Sequence, residues 1–363
     1  MEHISELQKT LSLFFDWHKA RLSCLVQILQ ALFCVRTVNL TQIATAFQTA
    51  AKQDSSYRRI RRFFATFTFD LSLIVLLVLK LFPLHEKYLL ILDRTSWKWG
   101  KTPINILMLS VAYQGISIPI FWVVLGQDGC SPEHERISLL KRVLEKFGVN
   151  KIEALVADRE FIGKKWFGFL IEENIPFVIR IRSHFVAEGI NEKCPEQVHE
   201  LCKQLNAKGE MINRRVVLWG YELYVSIRWK KNAKDPWIIA SNFEFEDPFD
   251  LYKKRWGIET LFSCLKTRGY RIEDTHITEG VRIERLLFVL AIAFCWAYKT
   301  GEFKNKANPI PVKTHGRKAR SIFREGLDQI RGVLLQIASK PRKFRRILEC
   351  FVFLQPGGAC AQI

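Results

Sequence analysis

The chain has 363 residues, 48% hydrophobic and 25% charged, enough apolar content for a sizeable core and too little charge for a disordered chain. Lysine and arginine number 55 against 36 aspartate and glutamate, a formal charge of +19 with a pI near 9.6. That excess points to a polyanionic partner, nucleic acid first, with a generally basic solvated surface as the plainer alternative.

The nine cysteines form no Cys-x-x-Cys pair, which argues against a zinc knuckle or ribbon. Cys34 and Cys295 fall in apolar helix-like runs and read as small core hydrophobes. The odd count, and a start (Met1-Glu2-His3-Ile4) without a basic leader, fit a reducing cytoplasm. The apolar runs 71–79, closed by Lys80 and Pro83, and 286–298 fall short of the ~20 residues a bilayer requires, so no membrane segment is expected. No Walker A pattern occurs, so ATP is not implied.

Residues 1–80 read as helical, with apolar residues at helical spacing in 22–33 and 43–47 and a cap at Asn39-Leu40-Thr41. Within this region Tyr57-Arg58-Arg59-Ile60-Arg61-Arg62-Phe63-Phe64 interleaves arginines with aromatics. A helix lying on DNA, with Arg58, Arg59, Arg61 and Arg62 on phosphates, accounts for that pattern, and so does a solvated basic face. Residues 88–92 form a continuous apolar run ending in Asp93, as a buried central strand would. Runs 104–113 and 116–125 around Gln114-Gly115 predict an antiparallel hairpin. A helix over 133–147, a strand over 152–157 ending in Asp158, a helix over about 164–174 and a strand over 177–181 follow. This order predicts a ribonuclease-H-like α/β domain, a mixed sheet flanked by helices, whose strand ends can hold two carboxylates together.

A mostly β insertion is expected over 183–238, with strands at 216–217, 221–228 and 237–240, a turn at Trp219-Gly220 and a short helix near 195–205. Helices resume over 249–298, a Pro/Lys-rich loop over 304–313 follows, and the tail 315–353 reads as helical and basic. The expected organisation is a helical DNA-binding region (1–80), a core in two parts (85–182 and 239–300) around the insertion, and a basic helical C-terminal region (301–363).

The densest chemistry lies in Tyr252-Lys253-Lys254-Arg255-Trp256-Gly257-Ile258-Glu259, continuing to Lys266. On one continuous helix at ~100° per residue, Tyr252, Arg255, Glu259 and Lys266 share a narrow stripe. Ile258, Leu261 and Leu265 form the apolar stripe beside it. A carboxylate flanked by two cations and a phenol suits a metal-bound phosphodiester. An i, i+4 ion pair between Arg255 and Glu259 on a surface helix is the competing account.

The spacing Tyr252-x2-Arg255-x3-Glu259-x6-Lys266 resembles the Tyr-Arg-Glu-Lys signature of bacterial DDE transposases of insertion-sequence family four. Leu92-Asp93-Arg94-Thr95, Ala157-Asp158-Arg159-Glu160-Phe161-Ile162-Gly163, Glu273-Asp274-Thr275-His276 and the basic segment His315-Gly316-Arg317-Lys318 are similar to that family as well, over roughly 85–335. The resemblance implies a catalytic triad of Asp93, Asp158 and Glu259 holding two divalent ions, usually magnesium, with manganese as a substitute. It implies cut-and-paste transposition on terminal inverted repeats and target DNA, a homodimer in the synaptic complex, and a bacterial, nucleoid-associated setting. Tyr252, Arg255, Trp256 and Lys266 are then expected at DNA. Trp97, Trp99 and Trp256 are candidates for stacking on an unpaired base, against the commoner core role.

Arg94 and Arg159 either bind phosphate or pair with acids, and Glu160 is expected to point away from Asp158 on an extended segment. His134-Glu135 and His199-Glu200 read as surface pairs, and His276 as a structural hydrogen-bonding residue. The basic runs 313–320 and 340–346 offer further DNA contacts or solvated faces. Two alternatives remain: a non-transposing nuclease of the same fold, and a catalytically idle DNA-binding protein derived from a transposase.

Overall fold

The five N-terminal helices are α1 (Glu2–Ser12), α2 (Lys19–Val35), α3 (Leu40–Thr45), α4 (Gln53–Thr66) and α5 (Ser72–Leu81). The Asn39 carboxamide oxygen accepts from the backbone N–H groups of Thr41 and Gln42, the cap expected from the sequence, which fixes the start of α3. In α4, Ile60, Phe63 and Phe64 are buried while Arg58, Arg61 and Arg62 are exposed, so one helix carries an apolar and a cationic face. The computed structural model describes residues 2–68, 70–189, 196–206, 208–229, 233–314 and 316–352; Cys194, His315, Cys360 and the tail beyond 352 lie outside them.

Strand β1 (Tyr88–Trp99) begins with Leu89-Leu90-Ile91-Leu92, all buried, without the alternation of a half-exposed strand. A central strand covered on both faces gives that pattern. Then come β2 (Thr102–Tyr113) and β3 (Ile116–Leu125), paired antiparallel through Gln114 and Gly115 at φ +45° and +81°. Two successive left-handed residues match the twist of a two-residue hairpin, and glycine adopts the second without steric cost. Helix α6 (Glu133–Phe147) leads to β4 (Ile152–Ala157), and α7 (Lys164–Glu172) to β5 (Phe177–Arg180). Strand β4 runs parallel to both β1 and β5.

The segment expected as an insertion contributes β6 (Val186–Gly189), β7 (Glu196–Gln197), β8 (Glu210–Leu218), β9 (Tyr221–Arg228) and β10 (Trp237–Ser241). In place of the expected helix near 195–205 there is a 3-10 turn over Glu200–Gln204. Strand β10 pairs antiparallel with β5, so these strands extend the sheet, in the order β3-β2-β1-β4-β5-β10-β9-β8-β6-β7. The first five positions form the ribonuclease-H-like mixed sheet.

Helices α8 (Pro248–Lys253), α9 (Trp256–Leu265), α10 (Gly280–Ala307), α11 (Ile322–Leu334) and α12 (Pro341–Val352) complete the chain. Three differences from the sequence reading stand out. The single helix expected over 252–266 is two helices, because Lys254, Arg255, Gly257 and Ile258 each donate to the carbonyl three residues back, tightening the turn between α8 and α9. The loop expected from 304 begins only after Ala307, since Lys304-Asn305-Lys306-Ala307 contains no breaker before Pro309. Residues 316–321 are not helical; α11 starts at the Ser321 cap, whose hydroxyl accepts from the Arg324 N–H.

The chain divides into two compact units. One is helical: Met1–Pro83, Trp97–Ile104 and Leu261–Ile363. Within it α10 and α11 approach so closely that a Cβ on Gly326 would lie 1.7 Å from the Ala297 carbonyl oxygen, and one on Gly301 1.9 Å from that of Ile322. The other unit, Leu84–Ser96 and Asn105–Thr260, holds the body of the sheet. Its core includes Leu89, Ala154, Val156, Val178, Ile239 and Phe249, with Tyr252 of α8 packed among them. Among the described residues no helix is long and apolar enough to cross a membrane.

Candidate active site

Parallel pairing of β1 with β4 aligns Leu92 with Ala157, so the next residues, Asp93 and Asp158, emerge side by side from adjacent strands. Neighbouring strands lie roughly 4.8 Å apart, which sets the scale of their separation. The apolar runs that made both strands recognisable also deliver the two acids to one end of the sheet. Each Oδ1 accepts from the backbone N–H of the following residue, Arg94 at 2.7 Å and Arg159 at 2.8 Å.

Helix α8 supplies Tyr252. Asp247 caps that helix by accepting from the Phe249 and Asp250 N–H groups, and Pro248 takes its first position. Tyr252 is buried and its hydroxyl donates to Asp158 Oδ1 at 2.9 Å. It is therefore a core residue that bonds Asp158, where the sequence stripe places it facing a ligand.

Arg255 occupies the tight turn before α9, buried, with both terminal nitrogens engaged. Nη1 meets Asp93 Oδ2 at 2.6 Å and Nη2 meets Glu259 Oε1 at 2.6 Å. The i, i+4 pair weighed as a competing account thus exists, but the same guanidinium reaches an acid on β1, which a surface pair would not. Gly257 allows this turn to sit against β3, where an added Cβ would lie 2.7 Å from the Ile116 carbonyl carbon.

The charges respond to their setting. Burial pushes the Asp93 carboxyl up to about 6, against the lowering effect of Arg255 and the Arg94 N–H. At Asp158 burial also acts upward, but the Arg159 N–H, Arg255 and the Tyr252 hydroxyl outweigh it and the carboxyl lies below its ordinary value. Burial and the neighbouring Asp158 push the Tyr252 phenol up to about 12, so it remains a hydrogen-bond donor. Burial works against the Arg255 charge, yet Tyr252, Asp93, Asp158 and Glu259 together raise its pKa and hold it cationic.

The donors suit a hard divalent ion, being carboxylate oxygens, and a cation bonded at once to Asp93 and Glu259 marks that spot as favouring positive charge. As arranged, no three acidic side chains among the described residues form a cluster that could hold one ion; the Arg255 guanidinium bridges two of them instead. The residue types fit a metal centre, with Arg255 standing in as countercharge.

The remaining candidates separate. Glu160 lies in a turn, closed by the Phe161 N–H donating to the Asp158 carbonyl at 2.9 Å, rather than on an extended segment, and its carboxylate is gripped by Arg94. Trp256 is 46% exposed and packs T-shaped with Trp237 at 5.5 Å between ring centroids. Within the helical unit, Lys266 pairs with Glu273 at 2.8 Å and lies 5.8 Å from the Trp97 ring centroid. His276, expected as a hydrogen-bonding residue, stacks on Trp99 at 4.3 Å. His134 and His199 pair with the glutamates that follow them, at exposed positions.

Among the arginines of α4, Arg59 turns inward, donating to the Ala20 carbonyl and the Ser23 hydroxyl of α2. Arg58, Arg61 and Arg62 instead line a groove with Arg282 of α10, which the sequence reading did not single out. Arg61 and Arg282 also line a cavity of about 330 Å³ with Tyr57, Thr41 and His276. Arg285 ties α10 to α4, donating to the Phe64 and Ala65 carbonyls at 2.7 and 2.6 Å.

Residues 84–296, more than half of the chain, match the family model described as Transposase DDE domain. The chain belongs to that family. Its function is that of a DNA transposase, an enzyme of phosphodiester cleavage and transesterification, in a family that generally uses divalent metal ions. Among solved structures it is similar to a piggyBac transposase synaptic complex with hairpin DNA, at 14% identity and a TM-score of 0.46, over 99% of this chain and 85% of that one. No curated protein matches the chain.

Proposed function

We propose that this transposase cuts and joins DNA at transposon ends by a cut-and-paste route, with Asp93, Asp158 and Glu259 as the catalytic acids. The observation that carries this reading is the register of β1 and β4, which brings Asp93 beside Asp158, together with the Arg255 bridge from Asp93 to Glu259. Asp93, Asp158 and Glu259 would hold two magnesium ions, or manganese in their place, which when bound supply Lewis-acid charge for the entering and leaving oxygens of the phosphodiester.

The chain's own groups do the rest. The Tyr252 phenol, a donor at neutral pH, orients Asp158. Arg255 retains its charge and holds Asp93 and Glu259 together, placing positive charge beside the two acids. Trp256 offers an aromatic face to an extruded base. Lys266 adds positive charge after α9. The groove of Arg58, Arg61, Arg62 and Arg282 takes the sugar–phosphate backbone, and Arg59 serves packing instead. The Tyr-Arg-Glu-Lys spacing favours the bacterial insertion-sequence family four, hence terminal inverted repeats as substrate, a homodimer at the paired ends and action in the bacterial cytoplasm at the nucleoid.

The test is incubation of the purified protein with a labelled fragment carrying the terminal repeat and its flank, with and without Mg²⁺. Cleavage at the repeat boundary in Mg²⁺ alone is expected, followed by joining to a target plasmid. Cleavage without joining would move the assignment to a non-transposing nuclease, and binding without cleavage to an idle DNA-binding protein.

A further inference from the structure

The residues that follow Asp93, midway along β1, and Asp158, just after β4, are joined by a hydrogen-bonded network that the proposed chemistry leaves unused. Arg94 follows Asp93 on β1, and Glu160 lies two residues after Asp158. Arg94 Nε meets Glu160 Oε1 at 3.2 Å and Nη2 meets Oε2 at 3.0 Å, a two-pronged pair in the matched geometry of guanidinium and carboxylate. Nη1 donates to Asn105 Oδ1 at 3.1 Å, so each nitrogen of this guanidinium has a protein partner.

Asn105 is fully buried on β2 and anchors the pair from behind, its Nδ2 donating to the Gln127 and Gly129 carbonyls at 3.1 and 2.9 Å. Arg136 of α6, also buried, holds the turn that carries Glu160. It donates to the Glu160 carbonyl at 3.2 Å, the Ile162 carbonyl at 3.3 Å and Ser131 at 2.6 and 2.8 Å, and lies over the Phe161 ring at 5.2 Å. The network thus ties the middle of β1, the start of β2, the turn after β4 and one helix to a single ion pair.

The location gives the network its consequence. Asp93 and Asp158 are each oriented by the backbone N–H of the next residue. A clamp between Arg94 and the turn just after Arg159 therefore fixes the relative orientation of both carboxylates. We infer that Arg94 and Glu160 are positioning residues, a latch that holds Asp93 and Asp158 in mutual register for metal binding without touching metal or DNA. A salt-bridged, half-buried anchor beside two carboxylates that would hold metal keeps their spacing fixed, as supporting hydrogen bonds do at metal sites generally.

This inference rests on the reading of Asp93 and Asp158 as metal-holding acids, and one experiment separates the two. Mn²⁺ binding by the full chain is measured by calorimetry without DNA, for the parent, Asp158→Asn, Arg94→Ala, Glu160→Ala, Glu160→Gln and the Arg94→Ala/Glu160→Ala double variant. Each alanine variant is expected to weaken Mn²⁺ binding by about tenfold. The double variant should be no worse than either single, because the pair acts as a unit, and the near-isosteric Glu160→Gln should recover part of the loss. Binding of the terminal-repeat fragment in EDTA should stay at the parent level, with the parent's salt dependence. Loss of Mn²⁺ binding in Glu160→Ala as complete as in Asp158→Asn, with Arg94→Ala unaffected, would make Glu160 a ligand and overturn the latch. Weaker DNA binding in EDTA for Arg94→Ala alone would make Arg94 a phosphate contact and overturn it equally. Parent-level Mn²⁺ binding by Asp158→Asn would instead overturn the reading of the acids.

Discussion

The two units of this chain carry their charge in opposite ways. Around Asp93 and Asp158 the charges are spent within the protein: Arg255 on Asp93 and Glu259, and Arg94 on Glu160. On the outer face of α4, Arg58, Arg61 and Arg62 are exposed and line a groove with Arg282, whose Nε pairs with Glu279 at 2.9 Å. Prepaid electrostatics of the first kind hold geometry and are costly to disturb. Exposed surface charge of the second kind is available to a polyanion and costs the fold little. Substitutions around Asp93 and Asp158 should therefore change chemistry steeply, and those on α4 should change binding gradually.

The sharpest break in that contrast comes from the acids. Asp93→Asn, Asp158→Asn and Glu259→Gln are each expected to lower Mg²⁺-dependent end cleavage by roughly 1,000-fold or more while leaving end binding within a fewfold of the parent. Single-turnover cleavage and mobility-shift titration of the same fragment measure both, and undiminished cleavage by any variant would remove that residue from the site.

Packing gives the next largest effect. Gly326→Val drives a side chain into the α10 backbone at the Ala297 carbonyl and should cost about 3 kcal/mol or more. Gly332, on the same helix with nothing within 4 Å, should accept alanine with a gain of about 0.5–1 kcal/mol. Thermal melting of the two variants side by side tests whether close helix approach stabilises the helical unit.

The pH response of the site around Asp93 is smaller. Asp93 has a pKa of about 6 in the fold against 3.8 ordinarily. Between those values the folded chain keeps a proton that the unfolded chain has released. The contribution of this group to stability therefore falls as pH rises from about 4 to about 6 and stays low above that. Asp93→Asn, neutral throughout, should exceed the parent in stability at pH 8 by on the order of 2 kcal/mol in EDTA, with the gap closing by pH 4. A gap independent of pH in melting experiments would contradict the assignment.

The mildest effects belong to the groove. Arg61→Ala and Arg282→Ala should each weaken end binding several-fold and lower the slope of log affinity against log salt by about 1. Arg59→Ala, whose guanidinium bonds α2, should lower the melting temperature and leave the salt slope alone. A changed slope for Arg59→Ala would mean that the inward and outward arginines do not differ as described.

Much of the sheet was legible in the sequence because strand burial leaves a local trace. Continuous apolar runs marked β1 and β4, and each run ended on an aspartate, although β1 itself continues to Trp99. Asn39 and Gln114-Gly115 announced a cap and a hairpin by their own backbone preferences. The helical stripe of Tyr252, Arg255 and Glu259 was legible as a grouping but wrong as a single helix, since tight three-residue turns at 254–258 depend on how α8 and α9 are seated. Arg136 went unnoticed, although it lies on the buried face of α6 with Leu139, Leu140 and Val143, where a lone arginine signals a bonded partner. Arg282 gave no such signal.

The sequence alone determined which acids are available, which apolar runs become the buried strands and how basic the chain is, because these follow from local composition and periodicity. Only the tertiary structure decided which partner each charge takes: Arg255 with Asp93 as well as Glu259, Arg94 with Glu160, Arg59 with α2 rather than the groove. Those pairings join residues as far as 162 positions apart. Their strength depends on burial and on distances of a few ångströms, which strand register and helix packing set and which no local pattern encodes.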